Sequence, residues 1–187
     1  MAGVGGQGIL SIAFVIDNAA LREGLNLKQA EVHGMSQRGG AVQSHLRLSE
    51  GRIFSALIPK GEADMILSVE PLETLRHFDY LSTEGIVVTS STPHVNIPDY
   101  PDVEQVLKRI QKAKRVSVID AGGLAREAGS TKAQNMVMLG AASPHLILKE
   151  DVLKEYIAVL FRPRGGNLIE TNLKAFELGR NAAGGKG

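Results

Sequence analysis

The chain contains no cysteine. That excludes disulfides and thiolate zinc sites, and it leaves an iron–sulfur cluster without its ordinary ligands. Tryptophan is also absent and aromatic residues make up only 4%, so a base-stacking surface for nucleic acid has little to be built from. Charge of one sign is lacking too. Lys and Arg number 21 against 20 Asp and Glu, a net charge of +1 that provides no field for nucleic acid or an anionic membrane. No apolar run approaches the roughly 18 residues of a membrane helix. The first sixteen positions carry no charge, but no basic segment leads them and glycines interrupt the run. A signal peptide is therefore not expected, and the cytoplasm is the expected compartment.

Several catalytic signatures are missing as well. No Lys is followed by Ser or Thr, which removes the G-x-x-x-x-G-K-[ST] phosphate loop. The histidines (His33, His45, His77, His94 and His145) form neither H-E-x-x-H nor H-x-x-x-H, so a metal site would need scattered ligands. Ser36 lacks the second Gly of a G-x-S-x-G elbow, and the Gly-Asp-Gly that opens a thiamine-diphosphate motif does not occur. As a catalyst on its own, the chain is poorly equipped.

What is present is a glycine loop at the very start. Gly3-Val4-Gly5-Gly6-Gln7-Gly8 reads G-x-G-x-x-G, a pattern that lets a pyrophosphate approach bare backbone when a strand feeds the loop and a helix leaves it. The helix is there, in Ile9, Leu10, Ile12, Ala13, Phe14, Ile16 and Ala19, with Gly24 as its terminator. The strand is not obvious, because only Met1 and Ala2 precede Gly3 and a strand usually needs about five residues. The expectation is either a strand completed by residues upstream of Met1 or a different setting for the loop.

The 187-residue chain, 43% hydrophobic, has the size and composition of one packed domain. Leu25 to Gly34 is mixed and allows a brief strand. Ala41 to Leu48 alternates, Ser49-Glu50-Gly51 signals a turn, and Ile53 to Ile58 follows, which predicts a β-hairpin over 41–58. Met65-Ile66-Leu67-Ser68-Val69, Ile86-Val87-Val88-Thr89 and Val116 to Ile119 read as buried parallel strands. A helix opens at Pro71 and runs to about His77, with Glu73, Thr74 and Arg76 outward and Leu72 and Leu75 inward. Asp102 is placed to cap a helix bearing Val103, Val106, Leu107 and Ile110. Helices follow at 124–128, 133–142, 151–161 and 168–181, and residues 182–187 read as a flexible tail. The predicted fold is a Rossmann-like α/β domain over 1–181, its sheet mostly parallel with an inserted antiparallel hairpin.

Four constellations stand out. His33-Gly34-Met35-Ser36-Gln37-Arg38-Gly39-Gly40 sets an imidazole, an amide and a guanidinium among glycines, which suits a ligand or an interface more than a bare turn. Asp120-Ala121-Gly122-Gly123 sits at a strand's carboxyl end, where Asp120 meets either a ligand or the next helix as its cap. Asn135 precedes the apolar run Met136-Val137-Met138-Leu139-Gly140, whose methionines read first as core. Arg162-Pro163-Arg164-Gly165-Gly166 is a basic turn, exposed or anion-binding.

Taken together, the glycine loop through Leu10 and the 33–40 segment resemble the gamma-type subunit of 2-oxoacid:ferredoxin oxidoreductases. So do Ala63-Asp64 ahead of Glu70-Pro71-Leu72-Glu73, the 135–140 run, and Asn172-Leu173-Lys174-Ala175-Phe176-Glu177-Leu178-Gly179. The form of residues 33–40 is most similar to the beta subunit of indolepyruvate:ferredoxin oxidoreductases. The resemblance runs from Gly3 to about Arg180; the departure is the short segment before the loop. It implies a division of labour, with thiamine diphosphate and [4Fe-4S] clusters on a partner subunit and none of them on this chain. The complex would decarboxylate a 2-oxoacid oxidatively, pass the acyl group to coenzyme A and reduce ferredoxin. Catalytic residues on this chain are then not expected. Gly3, Gly5, Gly6, Gln7 and Gly8 would form a coenzyme A or interface loop, and His33, Ser36, Gln37 and Arg38 a second ligand or interface loop.

Two other readings stay open at this level. One is a self-sufficient NAD(P)- or nucleotide-binding dehydrogenase, which needs a carboxylate at the end of the second strand roughly 20 residues past the glycines; Glu23 and Glu31 stand near that spacing. The other is a module whose glycine loop packs on a partner and binds nothing.

Overall fold

A computed structural model describes residues 1–33, 39–95 and 97–184. The strands are β1 (Ala2–Val4), β2 (Asn26–His33), β3 (Ala41–Ser49), β4 (Ala63–Ser68), β5 (Leu81–Ser90) and β6 (Val116–Ile119). The helices are α1 (Ile9–Arg22), α2 (Pro71–Arg76), α3 (Val103–Ile110), α4 (Ala121–Ala128), α5 (Gln134–Ala142), α6 (Glu150–Phe161) and α7 (Gly166–Gly184). They build a single α/β domain around one mixed sheet of order β2-β3-β1-β4-β5-β6. The β1–β4, β4–β5 and β5–β6 pairs are parallel, while β3 runs antiparallel to both its neighbours.

Alternation along the strands sorts the side chains onto two faces. On β5, Ile86 and Val88 face a large core shared with α1, α4, α5, α6 and α7, while Val87 meets Val106 and Ile110 of α3 on the other side. Helix α5 is buried along its whole length from Asn135 to Ala142, as expected of a helix that is apolar all round. It crosses α7 at unusually short range. A Cβ on Gly140 would overlap the Phe176 carbonyl, and one on Gly179 would overlap the Val137 carbonyl. Met136 and Met138 are fully buried there, as core residues.

The structure corrects four expectations. The hairpin lies at 26–49, not 41–58. β3 is where the alternation put it, but its partner is β2, in register from Asn26↔Ser49 to His33↔Val42. Its other edge is taken by β1, so residues 53–58 find no free edge and form no strand. They lie instead against the hairpin: Ile58 N donates to His45 Nδ1 (3.1 Å), Arg47 donates to the Leu57 carbonyl (3.3 Å) and Lys28 to the Phe54 carbonyl (3.2 Å).

The strand feeding the glycine loop is present with only three residues. β1 is buried between β3 and β4, so its neighbours hold it where its own length would not. On α2 the faces are rotated from the expected ones: Glu73 and Thr74 are buried, whereas Leu72 and Leu75 are partly buried against the α3 cluster. The cause is a hydrogen bond of 2.7 Å between the hydroxyls of Thr74 and Thr89 of β5, which turns that side to the sheet. Last, α7 continues through Gly184 into the segment read as a tail; residues 185–187 lie outside the described part.

The capping expectations hold at three helices. The Asp102 carboxylate accepts from Gln105 N (3.0 Å), and Asp120 accepts from Gly123 N (2.9 Å), which makes it the cap of α4. Gly24 follows α1 with φ 78°, a left-handed conformation that ends the helix.

Candidate functional site

The carboxyl ends of β1, β4 and β5 open into a cleft of about 660 Å³, the place where open parallel sheets receive ligands. Its floor is the glycine loop from Gly5 to Gly8 with Ser11 of α1. One wall is Val69 and Thr92-Pro93-His94; the opposite wall is Ser130 to Asn135, with Phe161, Arg164, Leu168 and Asn172 beyond. Lys132, Arg164 and His94 bring the cleft's basic groups, and no Asp or Glu stands among its described lining residues. That combination favours an anion.

The loop owes its shape to bonds that the sequence only half suggests. Gln7 N donates to the Val4 carbonyl (3.0 Å), while the Gln7 side-chain oxygen accepts from Val4 N (2.8 Å). Gln7 therefore braces the turn, and the Gly5 amide is engaged with the Gly40 carbonyl (2.8 Å). Among the described residues, the amides of Gly6 and Gly8 carry no such bond. Gly8 has φ 81° and no room for a Cβ, which would collide with the Asn135 amide. That close contact is with α5, so the third glycine serves a helix–loop junction here. Asn135 Nδ2 donates to the Gly8 carbonyl (3.4 Å) and Asn135 Oδ1 accepts from Met136 N (3.0 Å), fixing the opposite wall to the floor.

The wall at Thr92 is similarly tied. Gly122 N donates to Thr92 Oγ1 (3.0 Å), Thr92 N donates to Ser90 Oγ (2.9 Å), and Thr92 Oγ1 donates to Asp120 (3.4 Å). Across the cleft, Ser130 Oγ accepts from Lys132 N (3.3 Å) and sets the short turn at Thr131–Ala133 ahead of α5.

Of the sequence-predicted residues, Gly5, Gly6, Gln7 and Gly8 line the cleft, and Gly3 lies inside β1. Ser36, Gln37 and Arg38 lie outside the described residues, and of His33 only its place in β2 is described. The end of that loop is nonetheless located: β1–β3 pairing carries Gly39 and Gly40 alongside Gly5, with Gly39 N donating to the Gly5 carbonyl (3.3 Å). Arg164 of the basic turn reaches the cleft. Sequence reasoning missed Thr92, Pro93, His94, Ser130, Thr131 and Lys132. A signal existed in their position just beyond a parallel strand or just before a helix. Among the described residues no three of His, Asp and Glu gather to hold a metal ion.

The dehydrogenase reading fails on geometry. Glu23 sits at the end of α1 remote from the cleft, about 21 Å along the helix, and accepts a bond from Lys149 N (3.0 Å). Glu31 is on β2, which β3 separates from β1.

Comparison with known proteins identifies the family. The family model for pyruvate ferredoxin/flavodoxin oxidoreductase matches residues 1–182. Indolepyruvate oxidoreductase subunit IorB of Thermococcus kodakarensis is 39% identical over 98% of this chain and 94% of its own. The 2-oxoglutarate:ferredoxin oxidoreductase of Magnetococcus marinus, solved with 2-oxoglutarate, coenzyme A and succinyl-CoA, shares the fold at TM-score 0.80 and 24% identity, covering all of this chain. This chain spans 30% of that longer one. The gamma subunit of a keto/oxoacid ferredoxin oxidoreductase from Geobacter sulfurreducens shares it at TM-score 0.73 and 20% identity, over 98% of this chain and 96% of the other. With a family model spanning nearly its whole length and a relative well above 30% identity, the chain belongs to the pyruvate ferredoxin/flavodoxin oxidoreductase family.

Proposed function

We propose that this chain is the cofactor-free, gamma-type subunit of an indolepyruvate- or arylpyruvate-type 2-oxoacid:ferredoxin oxidoreductase. The complex decarboxylates the 2-oxoacid oxidatively, transfers the acyl group to coenzyme A and reduces ferredoxin. Thiamine diphosphate and [4Fe-4S] clusters belong to a partner subunit, because the residues here do not fit either group: the chain has no cysteine and no Gly-Asp-Gly. What this chain contributes is the cleft. A basic groove floored by glycine amides, with no carboxylate among its described lining residues, is the observation that carries the reading. The Gly6 and Gly8 amides with Lys132 and Arg164 would hold phosphate oxygens of coenzyme A, and the apolar walls at Val69, Phe161 and Leu168 would take its uncharged arm. The 33–40 loop, arriving beside Gly5, would complete the ligand or partner contact.

The test is reconstitution. The isolated chain is expected to bind coenzyme A by calorimetry and to show no 2-oxoacid-dependent reduction of ferredoxin. Joined to its thiamine-bearing partner it should support that reduction with an arylpyruvate. Turnover by the chain alone would overturn the division of labour, and failure to bind coenzyme A would remove the cleft from the site.

A further inference from the structure

The N-cap of α2 is a glutamate, although Asp, Asn, Ser and Thr are the side chains whose length suits that position. Glu70 is 1% exposed, and a buried carboxylate is tolerated only where donors surround it. Its two oxygens have separate tasks. Oε2 accepts from Glu73 N (2.9 Å), which is the cap. Oε1 accepts from His94 N (3.4 Å) and from the Tyr100 hydroxyl, both across from the helix on the segment after β5. A cap needs only the first of these. The longer arm of Glu70 is explained by its reach to the segment that carries the cleft wall.

The anchor itself is rigid. Ser68 Oγ on β4 donates to the Glu70 carbonyl (2.6 Å), and Thr74 Oγ1 donates to it as well (3.3 Å). Burial and the neighbouring Glu70 carboxylate hold the Tyr100 hydroxyl far above its ordinary pKa, so it remains a donor. At the other end, Thr92 is tied to Ser90, Asp120 and Gly122. Pro93 and His94 therefore stand between two fixed points.

We propose that Glu70 and Tyr100 form a latch that positions the Pro93–His94 wall and so sets the cleft's affinity for its ligand. The affinity clause rests on the reading of the cleft as the coenzyme A site. Both are positioning residues, since neither lines the cleft. The two variants that divide the tasks are Tyr100→Phe, which removes only the latch hydroxyl, and Glu70→Asp, which keeps a cap but withdraws the arm.

In the full-length chain, amide exchange at His94 should accelerate about tenfold in each variant, because Tyr100→Phe removes the charge-assisted bond that holds the Glu70 arm and Glu70→Asp withdraws the arm itself. Coenzyme A should bind about tenfold more weakly in each, with the double variant no worse than either single one, because the pair acts as a unit. In the reconstituted complex the change should fall on KM for coenzyme A and leave kcat in place. Unchanged His94 exchange in both variants would overturn the latch, as would fully additive losses. If the wild-type chain binds no coenzyme A, the cleft reading falls by itself, and the exchange rate still decides the latch.

Discussion

The two faces of the sheet are built from different materials. Under α1, α4, α5, α6 and α7 the interior is almost wholly apolar, with Phe176, Ile12, Ile16, Met136, Met138, Leu139, Leu153 and Ile157 fully enclosed. Under α2 and α3 the buried apolar group shrinks to Val87, Val106 and Ile110. Partly buried apolar residues such as Leu72, Leu75 and Phe78 surround that group, and the same side encloses polar side chains: Glu70, Glu73, Thr74, Thr89 and His45 are all buried. Burial raises the Glu73 carboxyl above its usual value and lowers His77, and the Glu73 Oε2 and His77 Nε2 atoms face each other at 4.0 Å. The first face resists change in volume, because close-packed interiors have nowhere to put an extra atom. The second resists loss of a bond partner, because an unmet buried polar group is costly. The cleft lies where they meet, with Asn135 holding one wall from the apolar side and Glu70 the other from the polar side.

The sharpest way to break this contrast is at the α5–α7 crossing. Gly179→Ala places a methyl on the Val137 carbonyl and should destabilise by about 3 kcal/mol, lowering Tm by about 9 °C. A neutral result in thermal unfolding would mean that the helices can separate and the apolar face is not close-packed. On the polar face, Thr74→Val conserves shape and removes one hydroxyl of the Thr74–Thr89 pair. It should cost about 1.5 kcal/mol by urea unfolding, and the loss should shrink when Thr89→Val is added.

Asp17 tests whether burial of charge is confined to the polar side. Burial lifts its carboxyl from 3.8 to about 6. The folded state thus holds the proton more tightly, so its stabilising contribution is complete below about pH 4 and is lost as pH rises through about 6. Asp17→Asn should then raise stability near pH 7 by about 1 kcal/mol, allowing for partial exposure, with no gain in acid. A gain independent of pH would refute that assignment. The smallest expected effect is at the cleft rim, where exposed Lys132→Ala should weaken coenzyme A about threefold, less at high salt, with unchanged Tm. Salt-independent loss would point away from phosphate recognition.

Local signals reported local structure well. The apolar period of α1, the short runs of β4, β5 and β6, and the Asp102 and Asp120 caps involve residues within a few positions of each other. The family resemblance was legible for the same reason, being carried by contiguous motifs such as 3–8 and 135–140. Apart from the tail into which α7 extends, the expectations that failed turned on distant partners. Alternation in 41–48 announced a strand but could not say that β2 and β1 would occupy its two edges. Helical spacing on α2 could not know that Thr89, fifteen residues on, would draw Thr74 inward. The cleft walls were missed because Thr92, His94 and Lys132 sit in unremarkable sequence and meet the glycine loop only across the sheet.

What the sequence determined by itself was composition-level chemistry and the elements: no thiol to bind iron, a glycine loop ahead of a helix, apolar runs that must be buried. These follow from residue type and from spacings along one chain. The tertiary structure alone decided which residues form the cleft, which carboxylates are buried, and that Gly39 and Gly40 lie against Gly5. Those depend on strand order and on contacts between segments far apart in sequence, and no periodicity within a segment encodes its neighbour.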